Sequence, residues 1–132
     1  MPSPFFMPVP AKILEIGCGL GSLSIHLARM GYELTAVDVN RNFADHVAKL
    51  CEGSPGKVTT IASDMNALEL PADYDAVLFY ESFHHSYDHP HTIRKALEFL
   101  KPDGILVLAA EPVVPKQRDF LPYPWGPRLE GE

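Results

Sequence analysis

The order of apolar and polar residues along the chain predicts strands that alternate with helices. Five short, apolar segments are typical of strands buried in a parallel sheet, and they cover residues 11–16, 33–39, 57–62, 74–80 and 105–110. Apolar residues recur every three or four positions, as on the buried face of a helix, over residues 20–30, 41–51 and 93–100. This alternation indicates an α/β fold. We expect a Rossmann-like, doubly wound, mainly parallel sheet of about five strands flanked by helices.

Residues typical of helix ends and turns support these boundaries. Gly31 stands where the first helix should end, and Asn40 can cap the start of the second. Pro90 is typical of the first turn of the third helix, and residues 101–104 (Lys-Pro-Asp-Gly) predict a turn before the fifth strand. The segment between the third and fourth strands shows no full helical pattern.

The chain is predicted to form a single domain over residues 1–132, because 132 residues leave room for one core. Nine of its 13 prolines lie within residues 1–10 and 112–132. We therefore expect these two ends to be irregular.

The loop after the first strand is the first candidate for ligand binding. In doubly wound sheets, ligands bind outside the carboxyl ends of the strands, near the point where the strand order reverses. The loop reads Glu15-Ile16-Gly17-Cys18-Gly19-Leu20-Gly21, and its alternate glycines allow sharp turns and a close approach to a ligand. A dinucleotide-binding fingerprint would place its third glycine at position 22, where this chain has serine.

Two further loops carry acidic residues at positions suited to a nucleoside. Asp38 ends the second strand, where a carboxylate can accept hydrogen bonds from both hydroxyls of a ribose. Asp64 and Met65 follow the third strand, where a carboxylate can meet an exocyclic amine. Each aspartate can instead cap a helix, and the sequence leaves both alternatives open.

The ordered series of motifs resembles that of class I S-adenosylmethionine-dependent methyltransferases. The matching segments, ILEIGCGLGSLSIHLA, AVDVN, SDMNALELP, YDAVLFYESFHH and LKPDGILVLAAEP, extend over about residues 11–112. The resemblance implies S-adenosylmethionine as the cofactor. It also implies that Gly17, Cys18 and Gly19 lie against the amino acid and ribose parts of the cofactor, with Gly21 in the same loop. Glu15 would stabilise the loop or reach the methionine amino group.

The same resemblance assigns the nucleoside contacts. Asp38 would hold the ribose diol, and Val39 would lie against the adenine. Asp64 would accept a hydrogen bond from the adenine amino group, with the Met65 amide near a ring nitrogen.

The loop after the fourth strand is predicted to carry the reacting side of the site. By resemblance, Tyr80 and Glu81 would close over the methionine part of the cofactor. Methyl transfer requires alignment of the acceptor and, for some acceptors, removal of a proton. His84 and His85 are the candidate bases, because imidazole titrates near neutral pH. A structural hydrogen bond that holds the loop is an open alternative for both. The histidines match no defined metal motif, so no metal site is expected.

The composition limits the partners. The net charge is −6, and there is no basic cluster beyond Arg94 and Lys95, so we expect no nucleic acid partner. No apolar run approaches the roughly 20 residues that span a bilayer, and no signal peptide pattern is present, so we expect no membrane partner. Cys18 and Cys51 form no disulfide framework, which indicates a reducing, cytoplasmic location.

We therefore expect an S-adenosylmethionine-dependent methyltransferase that acts on a small-molecule acceptor. Two alternatives remain open: a module or fragment that binds the cofactor without turnover, and an NAD-type Rossmann nucleotide-binding protein. The family commonly has seven strands, whereas this pattern offers five. We therefore expect a truncated core, either a fragment of a longer protein or a homo-oligomer that pairs through the open edge at the fifth strand.

Overall fold

A five-stranded parallel sheet forms the centre of the fold. The computed structural model describes residues 7–80 and 88–109, together with the backbone of residues 120–123 and 126–129. The strands of the sheet are β1 Lys12–Ile16, β2 Glu33–Asp38, β3 Val58–Ala62, β4 Tyr74–Tyr80 and β5 Leu100–Ala109. Their order is β3-β2-β1-β4-β5, with every neighbouring pair parallel. This order is Rossmann-like and reverses between β1 and β4, so the predicted fold class is confirmed.

Helices cover both faces of the sheet. They are α1 Ser24–Arg29, α2 Arg41–Leu50 and α3 His89–Leu97, and a single 3₁₀ turn at Met65–Ala67 lies between β3 and β4. None of the described helices is long and apolar enough to cross a bilayer.

The first helix is shorter than its sequence pattern predicts. The pattern begins at Leu20, yet this side chain is 63% exposed and α1 starts only at Ser24. The reason lies in the preceding glycines. Gly19 and Gly21 have φ angles of 54° and 84°, which continue the turn of the glycine loop through the residues that would otherwise form the first turn of helix.

The predicted helix ends are confirmed. Gly31 follows the last turn of α1 with a φ of 96°, a conformation that favours glycine. The Asn40 side chain accepts a hydrogen bond from the Asn42 amide at 2.9 Å and so caps α2. Pro90 lies in the first turn of α3.

Alternate residues of each strand pack into two different clusters. One cluster joins the sheet to α1 and α2 and includes Ile13, Leu34, Ala36, Val47 and Leu78. The other lies on the α3 side and includes Leu14, Ile16, Val37, Val77 and Phe99. Because side chains alternate between the faces of a strand, each central strand contributes to both clusters.

The predicted turn before the fifth strand is wrong. Residues 101–104 lie within β5, whose pairing runs from Leu100 opposite Tyr74 to Ile105 opposite Ala76. Over this stretch β5 advances five residues while β4 advances two. The Lys-Pro-Asp-Gly segment thus forms an irregular stretch of the β4–β5 pairing, and the residues typical of a turn do not distinguish such a stretch from a true turn.

Two short strands also lie in the C-terminal segment that was predicted to be irregular. β6 Phe120–Tyr123 and β7 Gly126–Leu129 pair in an antiparallel, two-stranded sheet. Each carries a proline, and Pro122 lies opposite Pro127. Proline is tolerated in strands at sheet edges, which is where both strands of a two-stranded sheet lie, but it hides the strand pattern in the sequence.

Candidate functional site

A cleft of about 750 Å³ opens at the carboxyl ends of β1 to β4. Its walls come from the loops after β1, β2 and β3, the end of β4, and the first turns of α2 and α3. The cleft therefore lies at the point where the strand order reverses, the position that the fold favours for a ligand.

The glycine loop is held against the end of β2 by its own amides. The Gly17 and Cys18 amides both donate to the Val37 carbonyl oxygen, at 2.7 and 3.0 Å. The Gly21 amide donates to the Cys18 carbonyl oxygen at 2.9 Å, and the Gly19 amide donates to the Asp38 carboxylate at 2.9 Å. These four donors are engaged within the protein, so the loop presents backbone and Cα surface to the cleft at these positions.

Asp38 connects the glycine loop to the start of α2. Oδ2 of Asp38 accepts the Gly19 amide, and Oδ1 accepts the Asn40 amide at 2.9 Å. The carboxylate is half-buried and lines the cleft. Since each carboxylate oxygen can accept more than one hydrogen bond, the side chain retains capacity for ligand hydroxyls.

Asp64 caps the 3₁₀ turn that follows β3. Its Oδ1 accepts the Asn66 amide at 2.8 Å, as the capping alternative predicts. Asp64, Met65 and Asn66 all line the cleft. Capping occupies one carboxylate oxygen, so the structural role and a ligand contact are compatible.

Glu15 is buried at the start of the glycine loop. It is not among the described residues that line the cleft. Its side chain is 1% exposed, and its Oε1 accepts a hydrogen bond from Ser24 Oγ at 2.6 Å. Burial raises the pKa of Glu15 to about 7. The Ser24 hydrogen bond opposes this rise, and the neighbouring Asp38 charge adds to it.

Gly21 also faces away from the cleft. A Cβ at this position would lie 2.9 Å from Val47 Cγ2 and 3.1 Å from Leu50 Cδ2, at a φ of 84°. The glycine is therefore required where the loop passes over α2, and it is absent from the described cleft lining.

Cys18 lines the cleft but is a poor nucleophile. Burial is the main cause that raises the pKa of its thiol to about 12, and the nearby Glu15 and Asp38 carboxyls contribute to this rise. Burial also raises the pKa of Cys51. Both thiols are free.

The charges around the cleft are of one sign. Asp38, Asp64 and Asp88 line it, and the described lining residues include no lysine or arginine. A cleft of this kind favours a ligand that carries a positive charge.

A family model described as a methyltransferase domain matches residues 13–104, which include β2 to β4, most of β1, the start of β5 and the cleft loops described above. The chain belongs to the S-adenosylmethionine-dependent methyltransferase family.

Two curated methyltransferases and one solved structure illustrate the similarity. Over 96 residues, the chain is 34% identical to ubiquinone biosynthesis O-methyltransferase of Proteus mirabilis, covering 70% of this chain and 39% of that protein. It is 34% identical over 101 residues to the mitochondrial ubiquinone biosynthesis O-methyltransferase of Schizosaccharomyces pombe, covering 74% and 37%. The crystal structure of coclaurine N-methyltransferase bound to N-methylheliamine and S-adenosylhomocysteine matches with a TM-score of 0.71 and 26% identity, over 77% of this chain and 31% of that one. The chain thus spans about two-fifths of the length of the curated methyltransferases it matches.

The methyltransferase fold brings most of the predicted cofactor residues together. Eight of them line the cleft: Gly17, Cys18, Gly19, Asp38, Val39, Asp64, Met65 and Tyr80. Glu15 and Gly21 are not among the described residues that line the cleft. Glu81, His84 and His85 lie outside the described residues, so their predicted roles stay predictions.

The cleft also contains residues that sequence reasoning did not assign to it. Phe43 of α2 is one of these residues, and it forms part of the cleft wall. Asn66, Asp88 and His91 line the opposite side. For Asp88 a sequence signal existed: it precedes a proline-containing helix start, and its Oδ1 caps α3 by accepting the His91 amide at 3.0 Å.

Proposed function

We propose that this chain is the cofactor-binding core of an S-adenosylmethionine-dependent methyltransferase that acts on a small-molecule acceptor. The observation that carries the proposal is the acidic cleft at the strand-order reversal. It combines the glycine loop with Asp38 and Asp64 at the ends of β2 and β3.

The charge and hydrogen bonding of the cleft favour this cofactor over a dinucleotide. A pyrophosphate is bound by free amides at a helix N-terminus or by basic side chains. Here the amides of Gly17, Cys18, Gly19 and Gly21 are engaged within the protein, and the described lining residues supply carboxylates instead of basic groups. A cationic sulfonium suits such a cleft, whereas a dianionic pyrophosphate is repelled by it.

The residues present fit each part of the cofactor. Asp38 would hold the ribose hydroxyls, with Val39 against one face of the adenine. Asp64 would accept from the adenine amine, with the Met65 amide beside it. Tyr80, at the end of β4, would border the methionine part, where its ring can favour the positive charge. When bound, S-adenosylmethionine supplies a methyl group activated by its positively charged sulfur.

A small molecule that presents a hydroxyl or an amine is the proposed acceptor. The matching relatives are named as O-methyltransferases of ubiquinone biosynthesis and as an N-methyltransferase. Such acceptors need alignment and, when protonated, loss of a proton. Glu81, His84 and His85 follow β4 in the sequence and remain the proposed contacts on this side, with His84 and His85 as the candidate bases.

Calorimetric titration with S-adenosylhomocysteine tests the cofactor, with NAD titrated in parallel. We expect saturable binding of S-adenosylhomocysteine and none of NAD at the same concentrations. The proposal fails if S-adenosylhomocysteine does not bind at millimolar concentration, or if NAD binds more tightly.

The ribose assignment needs a variant and a modified ligand together. Asp38→Ala removes a charged acceptor, so we expect about 10- to 100-fold weaker binding of S-adenosylhomocysteine. Asp45→Ala, on the exposed face of α2, removes the same charge outside the cleft and should bind like wild type. The 2′-deoxy analogue should bind wild type more weakly but lose little further affinity in Asp38→Ala. An equal loss for both ligands in that variant would mean that Asp38 acts only by holding the loop.

Turnover separates an enzyme from a module that only binds. Transfer of a labelled methyl group to phenolic and secondary amine acceptors is the direct assay. Binding of cofactor without transfer to any acceptor of either class would favour the second candidate function, a cofactor-binding module or fragment.

We also propose that copies of the chain associate through β5. This strand is at the edge of the sheet and pairs only with β4 among the described strands, and Ile105 and Leu108 on it are 39% and 43% exposed. Light scattering at micromolar concentration should report a mass above that of one chain. A monomeric mass would contradict the proposal.

A cytoplasmic location is proposed from the two cysteines. Both are buried and free, as is usual in a reducing compartment. Recovery of the native protein in a secreted or membrane fraction would contradict this location.

A further inference from the structure

Two side chains form a bridge in the wall of the cleft next to Asp64. Asn66, in the 3₁₀ turn after β3, and His91, in the first turn of α3, lie 3.0 Å apart between Oδ1 and Nε2. Both residues line the cleft. They are 25 positions apart in the sequence, so the bridge joins two separate segments of the cleft wall.

Each end of this bridge is anchored by an aspartate. The Asn66 amide donates to Asp64 Oδ1 at 2.8 Å, and the His91 amide donates to Asp88 Oδ1 at 3.0 Å. Within the described part of the chain, Asp64 Oδ2 has no hydrogen-bond partner, so it is available to a ligand donor. The position of Asp64 is thereby connected, through Asn66, to the first turn of α3.

We propose that Asn66 and His91 are positioning residues that hold Asp64 in register with the amine of the nucleobase and so set the preference for adenine. The inference rests on the proposed function, because it takes the nucleobase of the cofactor to occupy this end of the cleft. Asp64 follows β3, which is an edge strand, and the turn that carries it has only three residues, Met65–Ala67. The hydrogen bond from His91 of α3 to Asn66 therefore restricts the movement of this short turn.

The bridge should affect binding more than folding. Asn66 and His91 are exposed in the free protein, where water competes for the hydrogen bond and leaves it little net effect on stability. A bound nucleobase displaces that water and makes the hydrogen bond stronger. A change in affinity without a matching change in unfolding is therefore the expected signature.

A comparison of two ligands distinguishes positioning from a merely structural role. S-adenosylhomocysteine carries the amine, and S-inosylhomocysteine carries a carbonyl oxygen in its place. Wild type should prefer the first ligand. In His91→Ala we expect this preference to fall about three- to tenfold, because the carboxylate is no longer held to meet the amine. Equal weakening of both ligands, or an unchanged preference, would overturn the proposal.

Further variants test the pair itself. Asn66→Ala keeps the backbone amide that Asp64 caps and removes only the side chain, so it should match His91→Ala. The double variant should lose no more than either single one, since the two side chains act through one hydrogen bond. His91→Gln retains a donor and should restore part of the preference. Additive losses in the double variant would contradict a shared contact.

Matched controls lie on α2. Asn42 donates its amide to the Asn40 side chain just as Asn66 does to Asp64, and its own side chain is exposed. Asn42→Ala and His46→Ala should leave the ligand preference at the wild-type value. If wild type fails to bind S-adenosylhomocysteine at all, the proposed function falls and the inference with it. If wild type binds and prefers adenine while the variants keep that preference, only the inference falls.

Discussion

Replacement of Glu15 by glutamine should change how the stability of the protein depends on pH. Glu15 is a carboxyl group at 1% exposure whose described hydrogen-bond partner is Ser24 Oγ, at 2.6 Å. Glutamine keeps the shape and the acceptor oxygen but cannot ionise. The variant therefore removes one titration and leaves the packing of β1 nearly intact.

The direction follows from the pKa of the folded state. Burial raises the pKa of Glu15 from an ordinary 4.5 to about 7, so the folded protein holds this proton more tightly than the unfolded chain does. The resulting stability is fully present below pH 4.5 and is lost as the pH rises to about 7. At about 1.4 kcal/mol per pH unit, ionisation of the buried group costs about 3 kcal/mol above pH 7.

Chemical denaturation at several pH values between 5 and 8 measures this effect. The free energy of unfolding of wild type minus that of Glu15→Gln should fall by about 2 to 3 kcal/mol over this range, and the subtraction removes the contribution of other titrating groups. Ser24→Ala is the companion variant. It removes the hydroxyl that favours the ionised form, so its pH dependence should be steeper than that of wild type. A difference between wild type and Glu15→Gln that stays constant from pH 5 to 8 would refute the reasoning.

Two further predictions concern the glycines and the thiols. Gly21→Ala should lower the free energy of unfolding by about 2 to 4 kcal/mol, because the residue has a positive φ and the new Cβ also lies 2.9 Å from Val47 Cγ2. Gly53→Ala is the control: it also has a positive φ, but its Cβ meets nothing within 4 Å, so it should cost about 1 kcal/mol. Equal costs in denaturation would contradict the packing role. Cys18 and Cys51 should react much more slowly with thiol reagents at pH 8 in the folded protein than in denaturant, because burial raises both pKa values. Rapid labelling of the folded protein would count against this.

Local patterns predicted those features of the fold that depend on neighbouring residues. The strand β4 matches its predicted bounds, and the Asn40 cap follows from a side chain that reaches an amide two positions away. The length of α1 was not predictable in the same way. Its first turn is lost to the glycine loop, whose course depends on hydrogen bonds to the end of β2. The Asn66–His91 contact joins segments 25 residues apart, and no local pattern reports it.

Of the predicted cofactor residues, Gly17 lines the cleft whereas Glu15 does not, and the geometry of β1 explains this difference. Side chains alternate between the two faces of a strand, so Ile13 and Glu15 point to the α1 and α2 side, while Leu14 and Ile16 point to the α3 side. Glu15 is thereby directed into a helix-covered layer, although it is only two residues from Gly17 in the cleft. The resemblance implied that Gly17 lies against the cofactor, and it gave Glu15 two possible roles, stabilising the loop or reaching the methionine amino group. Because of this alternation the two residues have different roles. Gly17 forms part of the cleft surface, whereas Glu15 accepts a hydrogen bond from Ser24 and so connects β1 to α1, the helix that follows the loop.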